Sequence, residues 1–314
     1  MPIIIRIFSD FCNSTQLKQH FERCFQANRF ENYGPTKDVY ITDGEDYTHA
    51  IIINWIMPTL KSIPKENVIG LAYEPPLFLK FSPEFFNYVQ ANIQKYFIGD
   101  KYDLPSPPFI ESYSYMCHIP PPLEIPYKKN IMSIMVSEKN TAPGHKYRHI
   151  LVQHILNQGL PIDIYGRGCE MYDCLNSKMT PQPNPNQRMS QDMFFKLKSQ
   201  NKDPRIKGEF TETEPYATYK FHIAIENFST GHYFSEKLLN TLFYKTTPIY
   251  WGCQNVESYF PGMTIGLTGN VYQDIDLLKR ILQNPGHYIR NIDTEIVSQK
   301  TNFFMNLDKI FETA

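Results

Sequence analysis

The sequence predicts an α/β protein of two domains, each a mostly parallel sheet with helices on both faces. Three observations predict it. The chain has 314 residues, more than one domain of ordinary size. Short apolar runs alternate with helix-periodic segments, as in a parallel sheet wound with crossover helices. The alternation is interrupted once, by four prolines between His118 and Pro126, and then begins again.

Before the prolines, residues 3–8, 38–42, 49–54, 68–72 and 96–98 read as strands, mostly apolar runs of the kind buried on both faces. Residues 15–26 and 83–93 carry apolar side chains at helical spacing. The segment 118–126 is stiff and cannot be helical, so it is the expected linker between domains 1–127 and 128–314. Beyond it, 132–136 reads as a strand, 146–158 as a helix and 161–165 as a strand, with Gly166-Arg167-Gly168 as a turn. Residues 175–190, rich in Pro, Asn and Gln, are expected to loop over the surface. Residues 196–207 hold five basic side chains and are expected as a solvated helix face. Helices over 274–282 and 294–311 close the chain.

Composition narrows the function. A formal net charge of -1 gives no electrostatic case for a nucleic-acid partner. No stretch is apolar for long enough to span a bilayer. The six cysteines show no paired zinc spacing, and a chain with 42% hydrophobic residues needs no disulfide staples; they are expected as reduced thiols in a cytosolic setting. A Walker-type phosphate loop and a Gly-x-Gly-x-x-Gly fingerprint are both missing.

The most informative stretch is 219–252. Phe221 to Ile225, an apolar run carrying one histidine, reads as a buried strand, and Glu226-Asn227 ends it. Ser229-Thr230-Gly231 is a turn, and Ser235 is a good helix N-cap. Leu238, Leu239, Leu242 and Phe243 then recur at helical spacing, and Thr246 to Tyr250 returns as a strand. This is a βαβ unit with its polar residues at the carboxyl end of the first strand, where open α/β sheets bind ligands. Lys237 lies in the first helical turn, where the dipole disfavours a cation, and so suggests a bound anion. Glu236 can accept from ribose hydroxyls, and Asn227 and Tyr233 can donate to phosphate oxygens. Each signal is weak alone.

Together they resemble a known signature. Tyr219-Lys220-Phe221, Ile225-Glu226-Asn227, Tyr233-x-Ser235-Glu236-Lys237 and Pro248-Ile249-Tyr250-Trp251-Gly252 resemble the donor-binding motifs of the α1,3/4-fucosyltransferases, glycosyltransferase family 10. Upstream, Met132 to Ser137, Arg148 and Ile162-Asp163-Ile164-Tyr165-Gly166-Arg167 are similar to further family motifs. The resemblance covers 131–267 well and the amino-terminal half thinly. It implies a GT-B fold, with an amino-terminal acceptor domain, a carboxyl-terminal GDP-fucose domain and inverting transfer of L-fucose to a glycan or glycoprotein hydroxyl. By resemblance, Arg148 and Lys237 contact the diphosphate, Asn227 and Tyr233 line the donor phosphates and sugar, Glu236 holds the ribose, and Glu226 belongs to the donor pocket. It requires no cofactor, with Mn or Mg at most stimulating. The family's Golgi anchor and stem have no counterpart here, so a soluble bacterial or viral type is expected, in the cytoplasm (the host's if viral).

A single-displacement transfer needs one general base. Glu74 is the expected one: it follows a strand, precedes Pro75-Pro76, and so sits on a rigid turn at a strand's carboxyl end. Tyr73-Glu74-Pro75-Pro76 also resembles the family's Glu-Ser-Pro motif. The acidic group Asp43, Glu45 and Asp46 reads as a solvated loop. Asp274-Ile275-Asp276 matches a metal-binding Asp-x-Asp pattern, but it opens a helix, where acids suit the dipole; no metal site is expected. His232 stands where many members carry an acidic or small residue, and bears on the donor pocket. The alternatives are transfer of another nucleotide sugar on the same fold, and a non-catalytic glycan-binding module.

Overall fold

The computed structural model describes residues 2–26, 39–79, 81–116, 119, 121–172 and 203–311. Within them the strands form two six-stranded sheets in which every pairing is parallel. The first contains β1 (Ile3–Ser9), β2 (Val39–Thr42), β3 (His49–Ile53), β4 (Val68–Leu71), β5 (Lys95–Ile98) and β6 (Phe109–Glu111), in the order β2-β1-β3-β4-β5-β6. The second contains β7 (Asn130–Met135), β8 (Asp163–Tyr165), β9 (Ile206–Gly208), β10 (Tyr219–Ile225), β11 (Thr247–Trp251) and β12 (Ile265–Gly266), in the order β12-β11-β10-β7-β8-β9. Both are doubly wound. The order reverses between β1 and β3 in one sheet and between β7 and β10 in the other, and a crevice opens at the carboxyl ends of such strands.

The helices are α1 (Ser14–Gln26), α2 (Pro83–Asn92), α3 (Pro143–Asn157), α4 (Glu214–Ala217), α5 (Glu236–Phe243), α6 (Val256–Tyr259), α7 (Val271–Gln283), α8 (Pro285–Tyr288), α9 (Thr294–Thr301) and α10 (Leu307–Phe311). Sequence explains their limits. Ser82 accepts from Phe85 N–H ahead of Pro83, Ser235 accepts from Lys237 N–H, and Asn270 accepts from Tyr272 and Gln273 N–H.

One core lies between the second sheet and α3 with α7, through Leu151, Ile155, Leu278 and Ile281. Another lies between the first sheet and α2, through Phe85, Val89 and Tyr96. A third joins the two halves: Ile5, Ile7 and Phe21 share it with Leu238 and Phe243, and with Phe303 and Ile310 from the chain end. Burying each such side chain contributes roughly 1.5–3 kcal/mol, so the returning carboxyl terminus ties the halves together firmly.

Two expectations are corrected. The closing helix over 294–311 is broken. Asn302 is buried, and its side-chain oxygen accepts the N–H groups of Phe304 and Met305, which stops α9 and restarts the chain as a short 3₁₀ turn. The basic stretch 196–207 does not end as a helix. Ile206–Gly208 pairs with β8, and Arg205 reaches back to the carbonyls of Ile155, Leu156 and Leu160. Residues 196–202 and the expected loop 175–190 lie outside the described residues, as do His118, Pro120, Cys117 and Cys174.

Candidate functional site

Two helix N-termini converge at the β7/β10 crevice. The first turn of α3 rests directly on the end of β10: Gly144 N–H donates to Asn227 O at 3.0 Å, and a Cβ on Gly144 would lie 1.8 Å from Glu226 O. Only glycine permits that approach. It brings Arg148, on the next turn of α3, beside Asn227, whose Oδ1 accepts from Arg148 Nη2 at 3.0 Å. Arg148 is 5% exposed, and its Nε is buried without a partner.

The second N-terminus is that of α5. Glu226 has no exposure, and its two oxygens accept from Ser235 N–H at 2.8 Å and Ser235 Oγ at 2.6 Å. The Ser235 hydroxyl in turn accepts from Lys237 Nζ at 3.0 Å, and Lys237 reaches Glu236 Oε1 at 2.9 Å and Glu226 Oε2 at 3.8 Å. Burial works against the Lys237 charge, but Glu236 and Glu226 outweigh it and hold its pKa above the usual value. Burial raises Glu226. Burial also acts to raise Glu236, but Lys237 and the Ser235 contact hold it below the usual range. Gly252 closes the back of this knot, since a Cβ there would lie 2.4 Å from Glu226 Cγ.

The first sheet faces this crevice with its own switch point. Asn54, just past β3, adopts a left-handed φ of 58°. Its side chain donates to Asp10 Oδ1 and accepts from Tyr73 N–H, both at 2.9 Å. Glu74 follows Tyr73. Its Oε2 is buried without a hydrogen-bond partner. Desolvation raises the Glu74 pKa, with Lys237 and Lys139 opposing and Glu236 and Glu226 adding to it.

Glu74, Arg148, Asn227, Tyr233, Glu236 and Lys237 line one cleft of about 410 Å³ between the halves. Glu226 does not line it; the structure makes it the buried support of Ser235 and Lys237. Residues to which the sequence reading gave no site role also line the cleft, among them Asn54, Ser137, Lys139, His145 and Arg167. His145 Nδ1 accepts from Ala142 N–H at 3.2 Å, and burial together with Arg148 pushes its pKa down to about 4, so the ring is neutral. A single histidine on a helix carries no spacing signal that would have found it. A second cavity of about 380 Å³ shares Arg148, Arg167, Glu236 and Lys237 with the cleft and runs on to Phe210, Tyr216 and His222.

Other sequence candidates fall elsewhere. His232 does not line the cleft. Its Nδ1 meets Tyr259 Oη at 2.6 Å, and its Nε2 lies 3.7 Å from Glu111 on the other half. Its ligand atom lies within 4.8 Å of those of Asp100 and Glu111, a grouping that sequence spacing does not reveal. Asp100 already accepts from Thr230 Oγ1 and from Gly231 N–H at 2.6 Å, so the group clasps the two halves. Asp274 is fully buried and accepts from Thr268, Gly269 and Tyr147. Asp43 and Glu45 pair with Lys18 and Arg6, and Asp46 accepts from Thr42.

Comparison with known proteins agrees with this architecture. The fold is similar to a crystal structure of an α1,3-fucosyltransferase, with a TM-score of 0.50 and 13% identity over 99% of this chain and 90% of that one. It is equally similar to an α-glucosyltransferase in complex with UDP and a 13-mer DNA, with a TM-score of 0.51 and 12% identity over 100% of both chains. Residues 125–283 match the glycosyltransferase family 10 (fucosyltransferase) C-terminal domain. The chain therefore has the GT-B architecture found in known glycosyltransferases. It belongs to glycosyltransferase family 10, the fucosyltransferase family. A curated relative, the putative fucosyltransferase R654 of Acanthamoeba polyphaga mimivirus, is 32% identical over 111 residues, 31% of this chain and only 18% of that protein. Among the described residues no helix is long and apolar enough to cross a membrane.

Proposed function

We propose that this protein transfers L-fucose from GDP-fucose to a hydroxyl of a glycan or glycoprotein, in one inverting displacement, with Glu74 as general base. The acceptor oxygen forms a bond to the anomeric carbon while that carbon's bond to the β-phosphate oxygen breaks. The hydroxyl proton goes to Glu74, and the bonding pair leaves with GDP. Arg148, Lys237 and the N-termini of α3 and α5 stabilise the charge that grows on the departing diphosphate. Arg148 offers a planar fork and Lys237 a point charge, which suits two neighbouring phosphates. No resident cofactor is needed for this step. We assign the acceptor to the wall built by residues 1–127 and the donor to that built by 128–314. Cys12 and Cys253 are free among the described residues, which fits a cytoplasmic setting.

One observation carries the reading. A carboxylate oxygen with no partner, Glu74 Oε2, shares a cleft with a guanidinium nitrogen with no partner, Arg148 Nε. Buried polar atoms left open in this way call for a partner, and a ligand in the cleft would complete both. The test is a donor-by-acceptor transfer screen read by mass spectrometry, with calorimetry against GDP and UDP. Fucosylated product and tighter binding of GDP are expected. Tighter binding of UDP, with transfer of another sugar, would overturn the donor assignment. Absence of both transfer and donor hydrolysis would replace it with a glycan-binding module.

A further inference from the structure

His222 lies mid-way along β10 and has no exposure. It lines the second cavity, the one that leads away from Arg148, Glu236 and Lys237 towards Tyr216 and Phe210. Its tautomer follows from its neighbours. Nδ1 lies 2.8 Å from Ser133 Oγ and 3.1 Å from Pro215 O, and the Ser133 hydroxyl itself donates to Pro215 O. A carbonyl can only accept, so Nδ1 carries the hydrogen. Burial depresses the pKa to about 3, which leaves the ring neutral. Nε2 is therefore a bare acceptor, and it is buried without a partner. Tyr216 packs edge to face against the same ring, with centroids 5.7 Å apart, and is fixed by Asn240 Nδ2 at 3.2 Å.

A neutral buried acceptor without a donor is destabilising. A β-strand position in a packed sheet could hold an apolar side chain without that loss. The cavity around it is of small-molecule size and adjoins the cationic grip. We propose that His222 is a specificity residue that reads the hydrogen-bond-donor edge of the donor's nucleobase, taking the N1–H or 2-amino group of guanine on Nε2. This rests on the GDP-donor reading above, and assigns to that donor a residue that neither the motifs nor the cleft identifies. With the diphosphate between Arg148 and Lys237 and the ribose at Glu236, the base extends into the cavity that His222 lines.

The test is calorimetry on the full chain with GDP, 1-methyl-GDP, ribose 5-diphosphate and UDP, for the native protein and for His222→Phe. Phe keeps ring volume and removes the acceptor. The expected result is about a 10-fold loss of GDP affinity in the variant, with ribose 5-diphosphate changed by less than about 2-fold. Equal losses for both ligands would make His222 a structural residue and overturn the inference, as would no loss at all. If His222→Phe fails to fold, His222→Leu is read by the same criteria, and the native protein alone can still overturn the inference. It must bind GDP about 10-fold tighter than 1-methyl-GDP or ribose 5-diphosphate, and parity with ribose 5-diphosphate overturns the inference. Tighter native binding of UDP than GDP would overturn the guanine reading together with the donor assignment. Native preference for GDP combined with an unaffected variant overturns the inference and leaves the donor assignment standing.

Discussion

Asn54 Oδ1 accepts the backbone N–H of Tyr73 at 2.9 Å, one residue before the proposed base. The same asparagine is tied to Asp10, and its carbonyl accepts from Tyr96 Oη at 2.6 Å. Asn54 thus transfers the rigidity of β1, β3 and β5 to the turn that carries Glu74. Its φ of 58° suits Asn or Gly. Replacing Asn54 by Gly keeps the backbone and removes the anchor. Transfer turnover is expected to fall about 10-fold with GDP affinity unchanged, because the base is misplaced and the phosphate grip is not. Steady-state kinetics beside GDP calorimetry check this; a parallel loss in both would argue against a positioning role.

The Glu74 carboxyl is held above its ordinary value by desolvation, and a general base acts only when ionised. Transfer rate should therefore rise with pH through a value above the normal glutamate range of about 4.3. The limb should vanish in Glu74→Gln, whose residual rate has no such base to titrate. A wild-type rate that stays flat from pH 5 to 8 would match a pKa at or below the ordinary value only, and would speak against desolvation.

The same shift has a stability consequence. The folded state favours protonated Glu74. That contribution is fully present below the unfolded-state pKa and is lost as pH rises through the higher folded-state value. At neutral pH a neutral isostere should therefore be more stable, so Glu74→Gln is expected to raise Tm by roughly 1–3 °C. Calorimetric scans at pH 4 and pH 7.5 should show the gain at the higher pH alone. A variant less stable at both would mean that Glu74 serves packing.

Glu226 supports the α5 N-terminus rather than touching the cleft. Glu226→Ala leaves Ser235 N–H and the Lys237 charge without their buried partner, and is expected to destabilise the fold by roughly 3 kcal/mol. Denaturant titration measures it. Lys237→Ala, in contrast, should weaken GDP binding at least about 10-fold while changing stability by less, since in the proposed mechanism it removes a charge that pairs with the diphosphate.

Much of the fold could be read from the sequence because its central strands are continuous apolar runs: β1, β3, β4 and β10 fall within about two residues of their expected limits. The strands that could not be read are three of the four edges. β6, β9 and β12 have three, three and two residues, too few for any periodicity, and they exist because an inner strand is already there to pair with. Asn302 ends α9 through side-chain contacts that helical spacing does not show. At the site, the polar residues gathered at strand ends and the helix start were legible as a group. Asn54, His145 and His222 were not, since a left-handed φ, a tautomer and an unpartnered ring nitrogen are properties of neighbours brought together only by folding. Among the aromatic side chains of the amino-terminal half, Tyr73 lines the cleft, Tyr115 is buried in the shared core, and Phe78 packs edge to face on Phe228 of the other half, with ring centroids 4.7 Å apart. Trp55 packs against the first sheet's core.

In the proposed mechanism one half of the molecule grips the donor and the other supplies the base. Glu74→Gln separates the two roles. Calorimetry should give a GDP affinity within about 2-fold of the native protein, while fucosyl transfer to acceptor falls by roughly 10²–10⁴-fold. Native turnover in that variant would remove Glu74 as the base.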